Sequence, residues 1–266
     1  MQKYETIELQ IPIQGVATVI LNRPDIHNAI NERMIEELTD VFQHLTSGDE
    51  IRLIILKANG KNFCAGADIN WMKSNIDQSF DECHEGSMKL FNMFRTIDSS
   101  RPPILACVSG AVYGGGLGLL AVSDFVIADK DSSFCFSELK LGLIPATISP
   151  FVMRKIGYSA ANALFLSATK FDSAHALQIG LIHQVSDSIN ETLELVTANF
   201  LKTAPKASAA CKEMVRAIEE GVSDEKHYTA GLITRARMSA EGQEGMKSLL
   251  EKRSPSWVNS PNSKES

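Results

Sequence analysis

The sequence lacks the features that would set it apart from ordinary globular proteins. It has no CxxC pair, and its five cysteines, Cys64, Cys83, Cys107, Cys135 and Cys211, are odd in number and irregularly spaced. That pattern does not build a disulfide framework and suits a reduced, intracellular chain. No apolar run approaches the ~20 residues that a membrane span needs. The opening residues, MQKYETIELQ, are polar and mixed in charge, unlike a signal peptide. A cytoplasmic protein with no membrane partner is therefore expected. No Lys/Arg block interrupts the formal net charge of −6, so no nucleic acid is expected as a partner. His84 beside Cys83 has no third ligand at helical spacing, and no metal site is expected.

What is present suits a packed domain. The 266 residues are 44% hydrophobic and 22% charged, enough for a core that needs no staple. Residues 4–21 read as two strands about a turn at Gly15, since Ile7, Leu9, Ile11 and Ile13 alternate and an apolar run follows from Val16. Asn31 is placed to cap a helix reaching about His44, with Met34, Ile35, Leu38, Val41, Phe42 and Leu45 as its apolar stripe. Residues 51–56 and 104–108 read as buried strands, and 125–128 and 134–136 as shorter ones. Between them, 80–97 reads as a helix with Met88, Phe91, Phe94 and Ile97 on one face. From about residue 147 strand signals fade and helical ones dominate. The fold class is α/β, with a β/α core over residues 1–200 and a helical C-terminal region with a polar tail over 201–266.

Three segments offer chemistry. Phe63-Cys64-Ala65-Gly66-Ala67-Asp68 follows a buried strand; its small residues let a ligand approach the backbone, and Asp68 can cap a helix beginning near Ile69. The run from Gly110 to Gly118, containing Gly114-Gly115-Gly116, follows the strand 104–108 and opens an apolar helix, leaving backbone N–H groups free. No Gly-Lys-Ser/Thr follows it, so it is no nucleotide loop of that kind. Two such N–H groups, if they converge, make an oxyanion hole. Third, Ser137-Glu138-Leu139-Lys140-Leu141-Gly142-Leu143-Ile144-Pro145 sets Glu138 in apolar surroundings, where a raised pKa suits proton transfer. Taken singly, each segment has an ordinary packing or surface reading.

In this order and spacing, the segments resemble the crotonase (enoyl-CoA hydratase/isomerase) superfamily. Asn22-Arg23-Pro24, His27-Asn28-Ala29, FCAGAD, GGGLGL, SELKLGLIP and the late EGQEGM and EKR stretches carry the resemblance, which covers roughly residues 5–255. In detail the chain looks most like bacterial 3-methylglutaconyl-CoA hydratases. The resemblance implies a ββα spiral core with a C-terminal helical trimerisation region, and a homotrimer or dimer of trimers. Ala67 and Gly115 match the two amide donors of an oxyanion hole, and Glu138 matches a catalytic glutamate. Asp25, Ile26 and His27 match a loop lining coenzyme A, as do Ala65, Gly66, Asp68 and Ile69; Lys252 matches a lysine that reaches coenzyme A in a neighbouring subunit. No cofactor is implied, because coenzyme A belongs to the substrate. One departure is plain: the other glutamate of the familiar hydratases falls at Gly118.

Three functions remain open at this point. A hydratase would use Glu138 both to activate water and to return the proton; whole-chain resemblance favours it, with 3-methylglutaconyl-CoA as candidate substrate. A Δ3,Δ2-enoyl-CoA isomerase needs only one carboxylate. A CoA-binding protein without chemistry would have little use for Glu138 beside intact donors. Tyr113, Trp71 and Met72 could wall an acyl pocket or simply pack. Arg154 and Lys155 are the faint candidates for holding a second substrate carboxylate.

Overall fold

A hairpin begins the chain. In the computed structural model, which describes residues 3–258, β1 (Ile7–Ile13) and β2 (Val16–Leu21) turn about Gly15, whose φ of +83° a side chain would resist. Asn31 caps α1 (Glu32–Thr46) by accepting from Met34 N, and all six stripe residues are buried. β3 (Leu53–Ala58) follows, then α2 (Ile69–Ser74) and α3 (Phe80–Asp98). Ser79 and Glu82 form a capping box at the start of α3. The face of α3 turned inward is Met93, Phe94 and Ile97, whereas Met88 is exposed.

β4 (Ile104–Val108), β5 (Ala111–Tyr113), α4 (Gly115–Ala121), β6 (Phe125–Asp129) and β7 (Ser133–Cys135) alternate next. The remainder is largely helical: α5 (Ser149–Ser167), β8 (Phe171–Asp172), α6 (Ser173–Gln178), β9 (Gln184–Ser186), α7 (Ile189–Leu201), α8 (Pro205–Glu220), α9 (Glu225–Met238) and α10 (Ala240–Leu250). Two sheets result. One runs β1-β2-β3-β4-β6-β9, antiparallel only between β1 and β2; the other runs β5-β7-β8. β2 and most of β3 and β4 are buried along their length, as strands covered on both faces must be.

The main core lies between the large sheet, α1, α3, α4 and α5. On the opposite face Val16, Leu53, Ile55, Leu105 and Ile127 are covered by Leu193, Val196 and Phe200 of α7. α8 is tied to the core by ion pairs, Lys212 Nζ to Asp124 Oδ2 at 2.6 Å and Arg216 to Asp98. Arg52 fastens the chain further on, donating to the carbonyls of Leu201, Thr203 and Trp257. Among the described residues no helix is long and apolar enough to cross a membrane.

Candidate active site

Three backbone segments meet at the site. Cys64 N donates to Ala111 O at 3.2 Å and Tyr113 N to Cys64 O at 2.8 Å, so the loop after β3 lies along β5 like an extra strand. Ile30 N donates to Gly66 O and Asp68 N to Ile30 O, both at 2.8 Å, which adds the segment before α1 on the other side. The loop is thereby fixed from both flanks. Its end is fixed too: Asp68 accepts from Asn70 N and Trp71 N at the start of α2 and pairs with Arg23 at 2.7 Å. Burial of Asp68 opposes ionisation, but the Arg23 side chain and the two amides outweigh it and lower the pKa.

This framework leaves amides unused on both loops. Neither Ala67 N–H nor Gly115 N–H is taken up by an acceptor among the described residues, whereas Ala65, Asp68, Gly114 and Leu117 donate to the His27, Ile30, Cys135 and Gly114 carbonyls. Gly114, between β5 and α4, has φ +49° and ψ −120°, the mirror image of an extended residue and open only to glycine. A methyl group there would lie 3.6 Å from Gly66 Cα and 3.3 Å from Glu138 Oε1. The bare Cα atoms thus let the two loops and the carboxylate close on one another.

Glu138 begins a single 3-10 turn, Glu138–Leu141, ended by Gly142 in the left-handed region. Its Oε2 is buried and has no hydrogen-bond partner among the described residues. Burial raises its pKa, with its own backbone N–H as the lesser, opposing influence. A carboxyl held at a raised pKa, with one oxygen unpartnered and close to Gly66 and Gly114, the neighbours of the Ala67 and Gly115 amides, can carry a proton to or from a bound carbonyl compound.

A sequence profile of the family "Enoyl-CoA hydratase/isomerase" matches residues 13–260. The chain belongs to that family. Among curated relatives, the enoyl-CoA hydratase AKT6-1 of Alternaria alternata is 34% identical over 80% of this chain and 71% of its own. The probable enoyl-CoA hydratase echA8 of Mycobacterium tuberculosis is 31% identical over 96% of this chain and 98% of its own. Among solved structures, an enoyl-CoA hydratase from Shewanella pealeana superposes with a TM-score of 0.92 at 38% identity, covering 96% of this chain and 97% of that one. AtuE of Pseudomonas aeruginosa does so with a TM-score of 0.92 at 34% identity, covering 96% and 100%. The chain is therefore an acyl-CoA enzyme with the fold of the enoyl-CoA hydratases.

In this chain, hydrocarbon fills the space around Gly118. A methyl group on Gly118 would meet Ile148 Cγ2 at 2.6 Å and Phe94 Cε1 and Cζ at 2.7 Å. Gly118→Glu is accordingly expected to overpack the core, costing about 1–3 kcal/mol or more. A lowered urea midpoint at unchanged m-value would register it; a variant as stable as wild type would mean that room for a carboxylate exists.

The other residues picked out from the sequence fall into distinct groups. Asp25, Ile26 and His27 form an exposed turn whose His27 O accepts from Ala65 N. The carboxylate of Asp68 is held by Arg23 and the α2 cap, so it shapes the loop and does not face a ligand. Lys252, just after α10, has φ +54° and an ammonium with no partner among the described residues. Trp71 packs against the main core, and Lys170 Nζ lies 5.3 Å from the centre of the Tyr113 ring. Arg154 and Lys155 do not belong to the site. Arg154 pairs with Asp98 and Glu219, and Lys155 Nζ donates to Leu120 O and Ser123 O at the C-terminal end of α4, the end remote from Gly115. Among the described residues no group of His, Cys, Asp and Glu is arranged to hold a metal. Asn28, within a stretch that carries the family resemblance, and Asn62, in an ordinary-looking loop, have side chains that knit these loops together through partners distant in the chain.

Proposed function

We propose that the protein adds water across the double bond of an α,β-unsaturated acyl-CoA, with 3-methylglutaconyl-CoA as its first candidate. The observation that carries this reading is the unpartnered, buried carboxylate oxygen of Glu138 beside the free amides of Ala67 and Gly115. The thioester oxygen accepts from both amides. Glu138, ionised, takes a proton from water as the water oxygen bonds to the β-carbon. The electron pair of the double bond moves to the thioester oxygen, where the two N–H groups stabilise the enolate. The enolate then re-forms the carbonyl as its α-carbon takes the proton back from Glu138, and one water has been added. Asp25, Ile26 and His27, with Ala65, Gly66, Asp68 and Ile69, form the wall for coenzyme A; Asp68 contributes through the loop it fixes. A trimer or dimer of trimers, in which Lys252 serves a neighbouring subunit, is supported by the exposure of Leu249 and Leu250 on α10.

A second reading has an observation of its own. Phe94 and Ile148 fill the space at Gly118, so no carboxylate stands at that position to help hold water, and one carboxylate is enough to move a proton between two carbons in a Δ3,Δ2-enoyl-CoA isomerase. Purified protein incubated with 3-methylglutaconyl-CoA, and separately with a 3-enoyl-CoA, separates the two by product mass. Gain of one water on the first is the expected result. A mass-neutral double-bond shift on the second, without hydration of the first, would replace the hydratase with the isomerase.

A further inference from the structure

One side chain joins the proposed coenzyme A loop to the proposed oxyanion donors. Asn62 Oδ1 accepts from Ala111 N at 2.9 Å, the first amide of the strand that leads through Tyr113 to Gly114 and Gly115. Asn62 Nδ2 lies 3.1 Å from Nδ1 of His27, on the exposed turn. Its main-chain carbonyl accepts from the buried Asn28 side chain at 2.9 Å, and Asn28 also donates to Asn59 O and accepts from Arg23 N. Gly110 is pressed so closely on this turn that a methyl group there would lie 2.8 Å from Asn62 Oδ1 and 2.1 Å from Lys61 O. The Ala111 N–H and the close approach at Gly110 couple the strand to Asn62.

The polarity of this link is fixed. A backbone N–H can only donate, so the Ala111 amide sets which way round the Asn62 amide sits. The donor end therefore faces His27, whose Nδ1 must be the acceptor. Its Nε2 then carries the hydrogen and faces away from Asn62, toward whatever the exposed turn binds. A ligand acceptor on Nε2–H and the position of β5 are thus joined by three hydrogen bonds through two side chains, His27 and Asn62.

We infer that Asn62 is a positioning residue, through which coenzyme A bound at His27 holds Gly115 in place to stabilise the enolate. The inference rests on the acyl-CoA hydratase reading. Binding at a part of the substrate remote from the reacting carbon would then raise turnover as well as affinity.

The experiment compares a crotonyl-type substrate as its coenzyme A ester with the same acyl group as its N-acetylcysteamine thioester, which keeps the reacting thioester and lacks the rest of coenzyme A. In wild type, kcat is expected to be at least about tenfold higher for the coenzyme A ester. Asn62→Ala should bring that ratio close to one, chiefly by lowering kcat on the coenzyme A ester. General damage to the fold would lower both rates and keep the ratio. Should the alanine variant not fold, Asn62→Ser supplies the same comparison. Equal wild-type kcat on the two esters, or an unchanged ratio in either folded variant, would overturn the inference. A wild type that isomerises 3-enoyl esters but hydrates neither test ester would instead overturn the hydratase reading; the same ratio measured on the isomerisation would then decide the role of Asn62.

Discussion

Glu138→Gln is expected to lower turnover by about three orders of magnitude, within the range for losing a positioned acid–base group. Glutamine keeps the shape and can neither take nor return a proton. Because the proposed role of Glu138 is proton transfer, and glutamine keeps its size, affinity for coenzyme A should stay close to wild type. Stopped assays at saturating substrate, with coenzyme A binding measured separately, give the two numbers. A variant that keeps most of its activity would remove Glu138 from the mechanism.

The same substitution should reveal what burying the carboxylate costs the fold. Burial raises the pKa of Glu138 in the folded protein. Below the unfolded-state pKa the group is protonated in both states and exerts no effect. As pH rises past that value, the unfolded state gives up its proton first, and the folded state loses relative stability until it too is ionised. Glu138→Gln should therefore melt at a higher temperature than wild type at pH 8, and the difference should vanish in acid. In wild type the acidic limb of kcat should have its midpoint above the ~4.3 of an ordinary glutamate, since hydration begins with the ionised form. Activity and stability thus change in opposite directions at this residue, as expected where a site keeps a group that the fold would prefer otherwise.

Much of this is legible in the sequence. The caps at Asn31 and Asp68, the stripe of α1 and the buried strands follow from local spacing, and the structure has them. Glu138 and the glycines stand out because residue type and order carried a family pattern. Three strands escaped: β5 was hidden inside a glycine-rich run, and β8 and β9 are two and three residues long, too short for an alternation to be visible. The meaning of Gly118 escaped as well. Its absent side chain was evident, but that Phe94 from α3 and Ile148 from the start of α5 fill the gap depends on packing between elements far apart in the chain. For the same reason the tail of α10 could not be told apart from α7. Both are apolar in sequence; Leu193, Val196 and Phe200 face the sheet while Leu249 and Leu250 face outward.

Gly115→Pro tests the other half of the chemistry, with the next largest effect. Gly115 is the first residue of α4, the one helical position at which proline fits, because no intrahelical bond is lost and its fixed φ suits the helix. The substitution removes a single N–H and leaves the helix able to form. If that N–H stabilises the enolate, kcat should fall by about 10²–10³, the usual cost of deleting one oxyanion donor. KM should change little, since the donor strengthens its bond only as charge develops on the oxygen. Gly115→Ala is the control. Its methyl group would approach only the tip of the Ile30 side chain, at 3.0 Å, which can turn aside, and the N–H is kept. A folded proline variant with wild-type turnover would remove Gly115 from the oxyanion site and leave Ala67 as its lone proposed donor. A proline variant that loses activity beside an alanine variant that keeps it would tie catalysis to one hydrogen atom on the backbone.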